Sequence, residues 1–164
     1  MSPATTLIEI GYKETAADPV GRGLIGDVHH LGVGKAKNIR VSQLYQLIGS
    51  VSSEDRHRIV ESLLCDPIVQ TPLEPAGPSK VARLSKRSAP AGPLVIDVWY
   101  KHGVTDVIGE SVAKGIHDLG VKSVSDVRTG ARYKIWGIPK AKAQKLTLAL
   151  LANPLVHDYV IDND

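Results

Sequence analysis

The 164-residue chain is poor in several things at once: one cysteine, no phenylalanine, and only seven aromatic side chains, two tryptophans and five tyrosines. A lone cysteine, Cys65, forms no internal disulfide, which excludes a disulfide-stapled scaffold and suits a reducing, cytoplasmic compartment. No apolar run approaches the length of a membrane-spanning helix. The start, MSPATTLIEIGYKE, lacks the basic-then-apolar order of a secretory signal, so no membrane association is expected. Charge of one sign is also scarce. Twenty Lys and Arg against seventeen Asp and Glu leave a net charge of +3, too little to require nucleic acid as a partner. What remains is a 43% hydrophobic chain of ordinary globular composition.

The small charge excess is not spread evenly. Residues 1–71 carry a net charge of −1 and residues 94–164 a net charge of +1, whereas residues 72–93 carry +3. That middle segment, PLEPAGPSKVARLSKRSAPAGP, also holds five of the ten prolines. It has too few large apolar groups to offset its ordering entropy and reads as a basic, semi-extended linker between two units, 1–71 and 94–164.

The two units repeat one another. At an offset of 88 positions, Tyr12-Lys13 meets Tyr100-Lys101, Asp18 meets Asp106, Gly21 meets Gly109, and His29 meets His117. Leu31-Gly32-Val33 meets Leu119-Gly120-Val121, then Arg40 meets Arg128, Tyr45 meets Tyr133, and Gly49 meets Gly137. After a one-residue deletion, Leu63-Leu64 and Asp66-Pro67 meet Leu150-Leu151 and Asn153-Pro154. This pattern reads as an internal duplication, and two copies are too few for a solenoid.

Each copy reads as β-α-β(β)-α-β. In the second, LVIDVWYK (94–101) is a strand, Asp106 an N-cap, and Ile108, Val112, Ile116 and Leu119 the apolar face of a helix ended by Gly120. Residues 123–137 read as extended, broken or bulged near Gly130. Pro139 opens a second helix with Leu146, Leu150 and Leu151 inward, and LVHDYVID is the last strand. In the first, LIEIGYK (7–13) is a strand, Asp18-Pro19 starts a helix with Val20, Leu24, Val28 and Leu31 inward, and Ser52 with Asp55 resembles a capping box. A unit of about 65 residues hides only roughly 60% of its unfolded surface and is marginal alone. The expected fold is therefore α+β, with two repeats packed as a pseudo-dimer and antiparallel sheets covered by helices.

No catalytic constellation emerges. GRGLIG (21–26) matches a dinucleotide-phosphate pattern, but the strand ends near Lys13 and the helix starts at Pro19, so the glycines fall inside the helix. Their better explanation is close packing of a helix against a sheet. GVGKAK (32–37) lacks the spacing and hydroxyl of a P-loop and reads as a helix C-cap with Gly32 left-handed. The six histidines show no ligand spacing, so no metal site is expected; His29 and His117 sit where a helix dipole favours a cation. Cys65 aligns with Ala152 and is expected to fill a small buried slot. All seven aromatics lie on expected strands, but the paired aromatics of an RNA-recognition sheet are absent. Ring packing between the copies is the simpler account.

The order of strand-Lys, Asp-x-x-Gly, LG, V-x-x-V-R-x-G and LL-x-N-P before a closing strand resembles the small PurS subunit of phosphoribosylformylglycinamidine synthase. It is carried by Lys101, Asp106, Gly109, Leu119-Gly120, Val124, Val127-Arg128, Gly130, Leu150-Leu151, Asn153-Pro154 and Asp158-Tyr159. The first copy keeps Lys13, Asp18-Pro19, Gly21, Leu31-Gly32, Arg40 and Asp66-Pro67, but has Ser42 for the glycine and lacks the closing Asp-Tyr. The resemblance implies a ferredoxin-like, non-catalytic assembly subunit in purine biosynthesis. Such a subunit bridges a glutaminase subunit and an ATP-dependent synthetase subunit and aids ammonia transfer. It binds no cofactor itself; ATP and Mg belong to the synthetase subunit. The family's two chains are here replaced by one, with self-association still open.

Arginine and tyrosine are favoured interface anchors. The expected partner surface is therefore Lys101, Arg128, Arg132, Tyr133, Asn153 and Pro154 of the second copy, with Arg40 as counterpart in the first. The alternative for Arg128 and Arg40 is an ion pair on the sheet surface. Two other function classes compete: a regulatory module binding a small molecule between its repeats, and a nucleic-acid binder acting through the basic linker.

Overall fold

A computed structural model describes residues 4–73 and 92–161. The first half runs β1 (Thr5–Tyr12), α1 (Pro19–Leu31), β2 (Asn38–Gly49), α2 (Ser53–Ile59) with a π-helical continuation over Val60–Leu64, and β3 (Gln70–Leu73). The second runs β4 (Leu94–Tyr100), α3 (Val107–Asp118), β5 (Val124–Trp136), a 3-10 turn Lys140–Lys142, α4 (Ala143–Leu146) with a π-helical continuation over Thr147–Leu151, and β6 (His157–Ile161).

Local chemistry explains both first helices. The Asp18 carboxylate accepts from Gly21 N at 2.8 Å, which caps α1, and from Val41 N at 2.6 Å, which ties the cap to β2. Asp106 does the same for α3 and β5 through Gly109 N and Thr129 N. One carboxylate thus starts the helix and fixes its distance from the strand. That distance is short: a Cβ on Gly21 would lie 2.2 Å from the Ile39 carbonyl oxygen, and one on Gly109 2.4 Å from that of Val127. The helices then end at Gly32 and Gly120, whose φ values of 70° and 89° reverse the chain in the left-handed region.

The α+β class and the antiparallel pairing are as expected, but the sheets merge. All six strands form one antiparallel sheet in the order β3-β1-β2-β5-β4-β6. The long strands β2 and β5 meet at its centre, where Gln43 faces Ala131 and the pairing runs from Asn38 opposite Trp136 to Ile48 opposite Asp126. An unpaired edge on either long strand would leave a row of unsatisfied N–H and C=O groups. Joining the two edge to edge satisfies them and leaves only the short β3 and β6 outermost.

The helices pack on one face of this sheet over two cores, and each core draws on both halves. Val28 of α1 packs with Ile96 and Val98 of β4 and Leu146 and Leu151 of the last helical segment. Val112 and Ile116 of α3 pack with Ile8 and Ile10 of β1 and Ile59 and Leu64 of the α2 segment. Val20 and Ile108, expected on the inward helix faces, are instead 51% and 49% exposed, since in each first turn it is the following glycine, Gly21 or Gly109, that faces the strand. β5 passes through Gly130 without a break, and the one register shift in its pairing with β2 lies between Ile48 and Gly49. Pro72 and Leu73 belong to β3, and most of the expected linker, 74–91, lies outside the described residues.

Candidate functional site

The sheet face turned away from the helices carries polar side chains at its centre. Counted outward from β2 and β5, residues 88 apart occupy corresponding places: Glu9 and Asp97, Gly11 and Trp99, Ser42 and Gly130, Leu44 and Arg132. Arg132 stands beside the middle of the sheet and serves both acids. Its Nε and Nη2 donate to the Asp97 carboxylate at 2.7 Å each, and its Nη1 donates to Glu9 Oε2 at 2.7 Å. Ser42 Oγ donates to the other Glu9 oxygen at 2.6 Å, and Lys134 Nζ lies 3.6 Å from it. Glu9 is 1% exposed and the Arg132 side chain 10%. The bidentate bond to Asp97 and both carboxylate charges hold the guanidinium well above its ordinary proton affinity, against desolvation. The network joins the first half to the second through buried charge.

Beside it the two halves differ in shape. In the second, the Trp99 indole lies over Gly130, where a Cβ would be 2.8 Å from the ring. Arg128 donates to the Tyr100 carbonyl at 2.8 Å and places its Cζ 6.0 Å from the centre of the Trp99 ring. In the first half, Arg40 makes the corresponding bonds, to the carbonyls of Tyr12 at 2.5 Å and Lys13 at 3.2 Å, but the residue in Trp99's place is Gly11. A cleft of about 550 Å³ opens there; Gly11, Arg40, Ser42, Leu73, Lys134 and Trp136 line it, and so does the carboxylate-bearing Glu14.

The residues expected at a partner surface fall into three groups. Lys101, Asn153 and Pro154 meet at one corner: Lys101 Nζ donates to the Pro154 carbonyl, and Asn153 Oδ1 accepts from Leu155 N at 3.0 Å. Lys13 and Pro67 repeat the first of these contacts in the other half. Arg128 and Arg40 sit on the open sheet face, bonded to carbonyls, and neither has an acidic partner among the described residues. Arg132 and Tyr133 are turned elsewhere. Arg132 is enclosed in the ion network, and Tyr133 packs half-buried under the helices, where burial pushes its phenol up. The network itself escaped sequence reasoning. Its one trace in the sequence is that Arg132 has an apolar residue, Leu44, as its counterpart 88 positions earlier.

The remaining motifs have structural explanations. GRGLIG lies within α1, and of its glycines only Gly21 packs closely; Gly23 and Gly26 have open space. His29 Nε2 approaches the Ala36 carbonyl at 3.3 Å and His117 Nε2 that of Val124 at 2.7 Å, each spanning its helix end and the next strand. Cys65 is half-buried rather than enclosed, and desolvation raises its thiol pKa, which keeps it in the thiol form. Among the described residues no helix is long and apolar enough to cross a membrane.

Residues 94–164 match a family model described as PurS: Phosphoribosylformylglycinamidine (FGAM) synthase. The matched part is the second half, less than half of the chain, and it connects that half to FGAM synthase. No curated protein matches the chain.

Proposed function

We propose that this chain is a non-catalytic assembly subunit of an FGAM synthase in cytoplasmic purine biosynthesis, formed by two PurS-like repeats in one polypeptide. The observation that carries this reading is the family match over residues 94–164. The first half enters as the second repeat on geometric grounds. Its caps, its helix-to-strand histidine bond, its arginine-to-carbonyl bond and its lysine-to-proline contact recur 87 or 88 positions later. The central register is also unchanged when the halves are exchanged, because Gln43 and Ala131, 88 apart, face each other.

In this reading the subunit docks a glutaminase and an ATP-dependent synthetase together and supports ammonia transfer between them, with ATP and Mg on the synthetase. The docking surface centres on Arg128, Lys101 and the Asn153-Pro154 corner, where Leu155 is 83% exposed. Arg40 is the counterpart in the first half, and Arg132 and Tyr133 brace β5 beneath.

The test is amidine synthesis by the matching synthetase and glutaminase with and without the chain, driven by glutamine or by free ammonia. Restoration of the glutamine-driven rate alone supports the reading. No effect on either rate, with no co-elution on a sizing column, refutes it. Arg128→Ala should weaken co-elution while leaving the chain folded by circular dichroism.

A further inference from the structure

We infer that the cleft beside Gly11 is a binding site for a planar aromatic ring carrying a phosphate, a ligand of the nucleoside monophosphate class. The second half displays what the vacant shape in the first accommodates. There a large aromatic ring, Trp99, lies over Gly130, whose counterpart in the first half is Ser42, with an arginine 6.0 Å from the ring centre to Cζ. In the first half the arginine is retained at Arg40 and held by the same carbonyl contact, but the ring is missing and about 550 Å³ is open. That volume falls within the range of small-molecule sites. Gly11 and Ser42 form the floor, and Leu73, whose Cδ1 would lie 2.8 Å from a Cβ on Gly11, forms an apolar wall. A ring entering from solvent replaces the indole and gains the cation–π contact for which Arg40 is already positioned.

The phosphate follows from charge. Arg40 and Lys134 are directly opposite on β2 and β5, both line the cleft, and like charges so placed repel. Glu14 also lines the cleft but pairs with neither cation; Arg40 has no acidic partner among the described residues, and Lys134 shares Glu9 with Arg132 at the longer distance of 3.6 Å. An anion between the two cations removes the repulsion. At the corresponding place in the second half Arg128 faces Gln46, so no second cation is present and the space is already filled by Trp99. One ligand per chain is expected. This site is independent of the assembly role, since it is read from the isolated chain.

The experiment titrates AMP into the full chain by calorimetry, following Trp136 fluorescence in parallel, with adenosine and inorganic phosphate as single-part probes. Saturable binding of one AMP per chain with Kd below about 1 mM is expected, with each partial probe at least tenfold weaker. Gly11→Trp combined with Ser42→Gly and Leu73→Val, which gives the first half the residues the second has at Trp99, Gly130 and Val160, should abolish binding. Arg40→Gln with Lys134→Gln should weaken it at least tenfold. No AMP binding, undiminished binding in the filled variant, or phosphate binding as tightly as AMP each overturns the proposal. Should the filled variant not fold, the charge variant decides: undiminished binding there overturns it.

Discussion

Arg132→Leu is the substitution that most directly tests how the two halves are held together. The change removes three charge-assisted bonds, two to Asp97 and one to Glu9. Asp97 is 19% exposed and recovers part of its hydration, but Glu9, at 1%, cannot. Its remaining neighbours are the Ser42 hydroxyl and the Lys134 ammonium at 3.6 Å. Removing one partner from a buried ion pair costs about 3–5 kcal/mol, because an uncompensated charge is left behind. For a chain of this size that corresponds to a fall in Tm of roughly 6–20 °C.

The check is urea unfolding followed by far-ultraviolet circular dichroism, with the free energy extrapolated to water. One control separates charge from packing. Glu9→Leu added to Arg132→Leu removes the stranded carboxylate and should recover much of the loss, since an apolar replacement of a whole pair is often neutral. A loss under about 1 kcal/mol at neutral pH, or a double variant weaker than the single one, would refute the reasoning.

Two further tests probe the helix-to-sheet contact and the buried phenols. Gly21→Ala forces a Cβ to within 2.2 Å of the Ile39 carbonyl and should cost at least about 1–3 kcal/mol, whereas Gly23→Ala, with open space, should gain up to about 1 kcal/mol from helix propensity; urea midpoints distinguish the two. Burial raises the Tyr45 and Tyr133 phenols above their ordinary value of 10. The folded state therefore holds protons that the unfolded chain releases, and stability present below pH 10 is lost as pH rises beyond it. Tyr45→Phe with Tyr133→Phe should flatten that alkaline loss, and a spectrophotometric titration in which those two ionise with the other tyrosines would contradict it.

The elements were legible where one residue carried a local decision. Asp18 and Asp106 announce helix starts, Gly32 and Gly120 announce ends, and the β-branched and aromatic runs announce the strands, all from short-range chemistry. What short range cannot specify is how strand edges pair. The apolar patterns of β2 and β5 predict a buried face on each, yet say nothing of whether two sheets stack or one sheet continues, because edge pairing uses backbone groups common to every residue. Gly130 illustrates the same limit. A glycine inside a strand suggests a bulge, but here the missing side chain makes room for Trp99 from the neighbouring strand, which only the register of β4 on β5 reveals. The π-helical turns at Val60–Leu64 and Thr147–Leu151 left no sequence signal either. They add a residue to the helix where Cys65 and Ala152 donate back to Val60 and Thr147.

The differences between the halves carry as much information as their agreement. Near the axis that relates residues 88 apart, two identical chains would have to place either two arginines or two leucines at the positions of Leu44 and Arg132. Two arginines would put two guanidiniums, beside Lys134, against only two buried acids, and two leucines would leave Asp97 without a cation and Glu9 with only the Ser42 hydroxyl and the Lys134 ammonium at 3.6 Å. A single chain escapes that constraint. It places one arginine where both acids can reach it and an apolar side chain, fully buried, at the corresponding site. Gly11 and Trp99 show the same freedom, one half open and the other filled. On the reading of the chain as two joined repeats, the pair can specialise: its helices and caps stay alike because the fold demands them, while the sheet face turned away from the helices becomes asymmetric. On the assembly reading, that asymmetry lets two unlike partners be recognised by two halves with one architecture. Restoring symmetry at this place by Gly11→Trp with Ser42→Gly and Leu73→Val should then affect only what the first half binds.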